Sequence, residues 1–504
     1  MGKLSSFDLF IVIAYLIGMM IFGWLVGRRI ENDRDYFLGG RKLPWWAIGM
    51  SLVVTDIGAL DIMGVAGAAY IYGIAMANFE WIGCIPAMIV GAFIFVPFYW
   101  KMGVFSVPEF LGRRYNTFVR TLMALISGIF MVFLLGVFLF TAAKAMYILI
   151  GWPEYVSILI IALVVGVYTL FGGLTAVVYT DVVQCIIMIG GSAIILVITF
   201  IKVGGWGELV LTVLSMGDQY ANHFKLLVPA DSPTPYGWAG IIFGLAFVMS
   251  PAYWLGNQAI VQRTLGARSE YEAKKSVLWG ALLKLLIPFI LVGPGIAGIV
   301  LVPGLEHGDD VYPHLVHSFL PSGLTGIVFA AFLAALMSSV DSYLNSAATI
   351  WTKDIYQALF RPHESERHYM IVGRIFIAVF LSLAVVSAPL AGKFPTIYGY
   401  FQTIFSIFQG PLLAILSLGL LWPRATAKGA IAGLLLGVST SGTLFWLKGS
   451  LFISSEPFLY IAWWAFLAAL ISTVTVSLLT TPVPLEKLEG LVYTSQHKNI
   501  GEIM

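Results

Sequence analysis

The residues best equipped for chemistry in this chain sit in an apolar setting. The stretch Gly323 to Thr349 reads GLTGIVFAAFLAALMSSVDSYLNSAAT and holds Ser338, Ser339, Asp341 and Ser342. It is long enough to cross a bilayer, for which about 20 apolar residues suffice. On a helix, Ala335, Ser338 and Ser339 fall at i, i+3 and i+4 and share a face. Ser338, Asp341 and Ser342 repeat that spacing one turn on. Two oxygen-bearing faces therefore adjoin at membrane depth. Small residues also let helices pack closely, which gives the serines a purely structural reading. The carboxylate in the same turn favours function, because inserting it costs about 2.5–3.5 kcal/mol. Hard cations want oxygen ligands, so the expected chemistry is Na⁺ binding.

A second apolar stretch must supply the other half of such a site. Trp45 to Tyr72 contains Asp56, Gly58, Asp61 and Gly64 near its centre. Glycine costs a helix about 1 kcal/mol relative to alanine, and the acids are costly in lipid. A break near 54–58 would free backbone carbonyls for a cation. Five spans later, Met249-Ser250-Pro251-Ala252-Tyr253-Trp254-Leu255-Gly256 carries a helix-breaking proline. Both could be ordinary kinks, which membranes tolerate. Interrupted helices at corresponding places in two halves also point to an inverted-repeat transporter with a midplane site.

These stretches belong to thirteen expected spans: 7–27, 45–72, 79–100, 119–150, 155–171, 176–201, 236–256, 276–302, 323–349, 370–392, 395–421, 429–447 and 458–479. The fold class is an all-α polytopic membrane protein. Residues 1–34 form a peripheral helix and loop, 35–201 the first repeat, 202–235 an extracellular loop, 236–421 the second repeat, and 422–504 two peripheral helices and a tail. The composition agrees, with 59% hydrophobic and 11% charged residues against about 25% charged in soluble domains. A barrel is excluded, since its strands would alternate polar and apolar. Nineteen Lys and Arg fall in one set of loops and five in the other, which puts the N-terminus outside and the C-terminus in the cytoplasm. The tail beyond Leu479 is too short for a soluble catalytic domain.

Other features point less sharply. Cys84 and Cys185 lie in apolar segments and imply neither disulfide nor metal. Met1-Gly2-Lys3-Leu4-Ser5-Ser6 fits a myristoylation pattern, which a chain with this many spans does not need. His307, His314 and His317 are too loosely spaced for a metal site. Glu80 opens the third span, and Lys144 is placed to snorkel to the outer interface. Asp181 either caps the sixth helix or joins a second ion site. Lys284 lies in a leucine run and needs a carboxylate partner. No phosphate-cradling loop, HExxH or GxSxG motif occurs. Neither an enzyme nor a nucleic-acid partner is expected.

Several ordered stretches resemble the sodium–solute symporter family, particularly its sodium–sugar branch. They are Asp35-Tyr36-Phe37-Leu38-Gly39-Gly40-Arg41, Phe79-Glu80-Trp81, Pro108-Glu109-Phe110-Leu111, Tyr168-Thr169-Leu170-Phe171-Gly172-Gly173-Leu174, Tyr179-Thr180-Asp181, Asn257 to Thr264 (NQAIVQRT) and Asn345-Ser346-Ala347-Ala348-Thr349 with Asp354-Ile355-Tyr356. The resemblance implies a 5+5 inverted-repeat (LeuT-like) core working by alternating access. It implies a sodium site of the Val54, Ile57 and Ala335 carbonyls with the Ser338 and Ser339 hydroxyls. A second sodium site would use Asp181, Ser338, Asp341 and Ser342, with Asp341 where relatives place a hydroxyl residue. Of the sugar contacts, Glu80, Lys284, Gln402 and the gate aromatic Tyr253 are kept. Asp56, Asp61, Gly83, Ser250 and Phe133 depart from the pattern. The solute-binding set is thus Asp56, Asp61, Glu80, Ser250, Tyr253, Lys284 and Gln402. The implied function is Na⁺-coupled symport of a small polar solute across the plasma (inner) membrane, most readily a sugar, with Na⁺ as coupling ion and no cofactor. The alternatives are a same-family symporter for inositol, an organic acid, an amino acid or an amine, and a channel or transport-like sensor.

Overall fold

The computed structural model describes residues 4–28, 32–393, 397–454 and 456–493. Gly2, the acceptor of the myristoylation pattern, lies outside them. Among the described residues the structure is helical, with two isolated bridges and no named strand. In chain order the helices are α1 (Ser6–Gly27), α2 (Trp45–Asp56), α3 (Ala59–Tyr72), α4 (Phe79–Met102), α5 (Thr117–Ile150), α6 (Glu154–Val167), α7 (Gly173–Val203), α8 (Gly240–Gly256), α9 (Gln258–Leu265), α10 (Glu270–Leu301), α11 (Leu324–Phe360), α12 (Glu366–Ser387), α13 (Ile397–Leu421), α14 (Ala427–Trp446) and α15 (Phe458–Leu479). Among the described residues eleven helices are long and apolar enough to cross a membrane, or twelve when the bent pair α8/α9 counts as one. The fifth expected span corresponds to α6, a shorter apolar helix that runs on into α7 through a kink at Gly173. Its φ of 49° favours glycine, and a Cβ there would lie 2.5 Å from the Tyr36 carbonyl.

The break in the second span falls where expected. α2 ends at Asp56, and Ile57 (φ −92°, ψ 86°) and Gly58 (φ −83°, ψ 177°) leave helical geometry before α3 begins. The interruption of the seventh span differs from expectation. Helical structure passes through Pro251 and the chain bends by 51° at Asn257 (φ −77°, ψ 120°). The reason is local. A π-helical stretch, Gly240–Met249, ends just before Ser250-Pro251. The same arrangement recurs in α4, where the π stretches Phe79–Cys84 and Gly91–Phe95 end just before Ile85-Pro86 and Val96-Pro97. A wider turn re-registers the ladder where proline has no N–H to give.

α11 is the hub. Its most apolar window is 83% buried, against 17% for α1 and 28% for α7. Asp8 of α1 accepts the backbone N–H groups of Gly323 (2.7 Å) and Gly326 (2.8 Å), tying off the N-terminal end of α11. At the other end Lys353 pairs with Asp33, and Asp354 accepts from Arg120 (2.7 Å) and Ser106 (2.5 Å).

Candidate functional site

The α2/α3 break lies against the serine face of α11. The Ser339 hydroxyl is 3.2 Å from both the Thr55 carbonyl and the Ala335 carbonyl. A Cβ on Gly58 would approach Ser339 Oγ to 2.8 Å, so glycine permits this close passage. Val54, Ile57 and Ala335 are buried around the same point. The freed carbonyl that Ser339 reaches is that of Thr55, a residue the sequence did not single out.

Ser338 turns instead to a second cluster. Its hydroxyl donates to Asp181 Oδ1 at 2.6 Å. Ser51 donates to Asp181 Oδ2 at 2.5 Å, and Thr55 Oγ1 is 3.2 Å from Ser342 Oγ. Asp181 is fully buried about two turns inside α7, so it does not cap that helix. Arg263 of α9 also enters this cluster. Its guanidinium pairs with Asp181 at 3.2 Å, bonds Ser51 Oγ at 2.6 Å and contacts Ser342 Oγ. Arg263 is 1% exposed although it lies near the end of an apolar stretch. Asp341 is fully buried beside Ser342, whose hydroxyl is 3.1 Å from Asp341 Oδ1. Of the residues expected to form a second sodium site, Asp181 and Ser342 thus already meet a guanidinium.

The rest of the NQAIVQRT stretch explains itself in the same way. Asn257 caps α9 through the Ala259 N–H (2.9 Å) and donates to Tyr343 (2.8 Å). Gln258 and Gln262 donate to the Phe105 and Phe37 carbonyls at 2.9 and 2.7 Å. These side chains bind loop backbone that would otherwise be unsatisfied in a buried place.

On the other side of the break lies a cavity of about 680 Å³ of free space, its open mouth included. Asp56, Asp61, Glu80, Ser250, Tyr253 and Gln402 all line it. Lys284 does not. It is wholly buried behind the wall, where its ammonium pairs with Asp56 and sits 2.7 Å from Glu80. The carboxylate partner demanded by the leucine run is thus a pair of acids from α2 and α4. Cys84 is close by. Asp56, Glu80 and Cys84 can bring one ligand atom each within 4.8 Å of one another, but the Lys284 ammonium already sits against both carboxylates. Asp61 caps α3 by accepting the Gly58 N–H at 2.9 Å. Gln402 donates to Tyr398 at 2.9 Å. Phe79, Phe138, Tyr343, Tyr398, Phe401, Phe405 and Gln409 also line the walls. Sequence reading missed these, because aromatic residues in apolar spans carry no signal that separates a cavity wall from a packed core.

Of the remaining expectations, Lys144 reaches Asp310 at 3.4 Å and is 27% exposed. Gly83 packs against the cavity residue Ser250, whose Oγ would lie 2.5 Å from an added Cβ. Phe133 is 39% exposed on the outer surface of α5 and does not line the cavity.

A family model described as sodium:solute symporter family matches residues 36–437. The chain is 35% identical over 460 residues to the sodium/glucose cotransporter of Vibrio parahaemolyticus, covering 86% of this chain and 84% of that protein. It is 32% identical over 553 residues to the sodium/myo-inositol cotransporter of Mus musculus, covering 98% and 76%. Among solved structures, a Na⁺-coupled sialic acid symporter superposes with a TM-score of 0.85 at 23% identity, over 95% of this chain and 99% of that one. A nucleobase-cation-symport-1 family transporter in a closed conformation gives 0.60 at 12% identity, over 90% and 97%. The fold is therefore the inverted-repeat transporter fold expected from the two interrupted spans. With the family model matching most of its length, the chain belongs to the sodium:solute symporter family.

Proposed function

We propose that the protein carries a small polyhydroxy solute, a sugar or a cyclic polyol, into the cell together with Na⁺. The observation that carries the reading is the Ser339 hydroxyl lying between the Thr55 carbonyl of a broken helix and the Ala335 carbonyl of α11. That is an oxygen-only environment at membrane depth, suited to a hard cation. The proposed ligands are the carbonyls of Val54, Ile57 and Ala335 with the Ser339 hydroxyl and, once it rotates away from Asp181, the Ser338 hydroxyl. A cation there ties the mobile half of the broken span to the hub helix, and so favours one of the carrier's two faces. It also orders the cavity wall beyond Asp56, which raises affinity for the solute by linkage. The solute lies against Glu80, Gln402, Asp56 and Asp61, with Tyr253 closing over it; aromatic faces suit the apolar faces of sugars. The names of the relatives, a glucose and an inositol cotransporter, support the same cargo class. The loop charges support a plasma-membrane topology with the N-terminus outside.

The energetics are sufficient. One Na⁺ crossing 100 mV yields about 2.3 kcal/mol. A tenfold gradient adds about 1.4 kcal/mol. Together they sustain a solute gradient of roughly 500-fold per ion. The direct test is uptake of labelled glucose and myo-inositol into proteoliposomes. Uptake should depend on a sodium gradient and fall to background when choline replaces sodium. Uptake unchanged by that replacement would exclude sodium coupling.

A further inference from the structure

The charged residues that line the solute cavity are all acids: Asp56, Asp61 and Glu80. The nearest base, Lys284, is spent behind the wall on Asp56 and Glu80. Three carboxylates against one ammonium leave two negative charges uncompensated when all are ionised. Among the described residues Asp61 accepts one hydrogen bond, from the Gly58 N–H at 2.9 Å. Seven aromatic rings complete the enclosure, with Phe401 and Phe405 centroids 4.5 Å apart and Tyr253 5.9 Å from Phe405. A carboxylate within an aromatic box attracts an organic cation by charge and by the ring faces. A separate observation points to a donor-rich ligand. Gln409 lines the cavity, is 7% exposed, and its side-chain oxygen meets no hydrogen-bond donor among the described residues. A buried acceptor left open is costly, and a ligand N–H or O–H would fill it.

We propose that the cargo is a sugar or polyol bearing a protonated amine, an amino sugar, with its ammonium seated on Asp61. This rests on the transport reading above and narrows it. With a neutral sugar Asp61 would have no opposite charge beside it in a mostly apolar space, and would give up its own charge by taking a proton. An ammonium neutralises it and gives three donors to a cavity rich in acceptors.

The test uses purified full-length protein in proteoliposomes with a sodium gradient, at neutral pH, where much of the amine is already protonated and acid does not discharge the cavity carboxylates. Glucosamine, glucose and N-acetylglucosamine are compared as inhibitors of uptake of whichever labelled sugar is driven by sodium. N-acetylation keeps the ring and removes the charge. Glucosamine should inhibit at about tenfold lower concentration than either neutral sugar. Asp61→Asn, which keeps an acceptor for the Gly58 N–H, should bring the three within about threefold of one another. The melting temperature of the wild-type protein in sodium should rise more with glucosamine than with equal glucose. Equal or stronger inhibition by glucose, or no loss of potency on N-acetylation, would overturn the proposal while leaving sodium–sugar symport standing. Absence of sodium-driven uptake for every sugar and polyol would overturn the transport reading itself. The melting shift then judges the amine independently, and its absence overturns that too.

Discussion

Lys284 shows how one buried side chain can organise a site it does not line. Its ammonium is withdrawn from the cavity and holds two acids, from α2 and α4, at fixed places in the wall. Removing one member of a buried ion pair costs about 3–5 kcal/mol, because the remaining charge is stranded. Lys284→Met should therefore lower the melting temperature markedly and abolish uptake, and Lys284→Met with Asp56→Asn and Glu80→Gln should recover much of the stability but not the transport. Thermal melts of detergent-purified variants would check this. Ser339 is the opposite case, a small group with a local job. Ser339→Ala should raise the sodium concentration for half-maximal uptake by roughly tenfold, the effect of about 1.4 kcal/mol, and leave the order of preferred solutes unchanged. Sodium titrations of uptake measure it. Lys284's need for a carboxylate was legible in the sequence, since a cation among leucines has few alternatives. Which acids answered was not, because one lies 228 and the other 204 residues away. The burial of Arg263 was not legible, because a charge near a span end reads as a loop residue and its partner Asp181 arrives from another helix.

Elements meet here at two discontinuities, and each makes a prediction. The α2/α3 break works only if the backbone at Gly58 can pass Ser339. Gly58→Ala should push the Ser339 hydroxyl away from the Thr55 and Ala335 carbonyls and reproduce the weakened sodium dependence of Ser339→Ala, again read from uptake against sodium concentration. At the α8/α9 bend, Arg263 joins α2, α7, α9 and α11 through Ser51, Asp181 and Ser342. Arg263→Gln should destabilise the protein by about 3–5 kcal/mol, and adding Asp181→Asn should restore part of the loss; a double-mutant cycle of thermal stability tests the coupling. The first discontinuity was readable because glycine and acids in an apolar run oppose a helix on three counts. The second was placed six residues early, at Pro251 rather than Asn257. Proline is a loud signal in sequence, but π turns absorb it three times in this chain, and the real bend sits at an asparagine that caps the next helix.

At the scale of the molecule, the spans and their order were legible because hydrophobic length is a property of the chain rather than of contacts, and the family because its short motifs stand in order along the chain. The topology they imply is testable. Single cysteines introduced at Asp231 and Glu364, both exposed, should react differently in intact cells: Asp231→Cys with a membrane-impermeant maleimide added outside, Glu364→Cys only after permeabilisation. The reverse pattern would invert the molecule. The burial of α11 has a consequence for how such a protein is made. This helix is ninth among thirteen apolar stretches, yet it carries Asp341 and a row of serines and is 83% enclosed by neighbours. Left alone in lipid it would be poorly tolerated. The earlier helices, already released from the ribosome, cannot finish packing until it emerges. A chain stopped just short of residue 324 should therefore be degraded faster than the full chain, which pulse-chase turnover would measure.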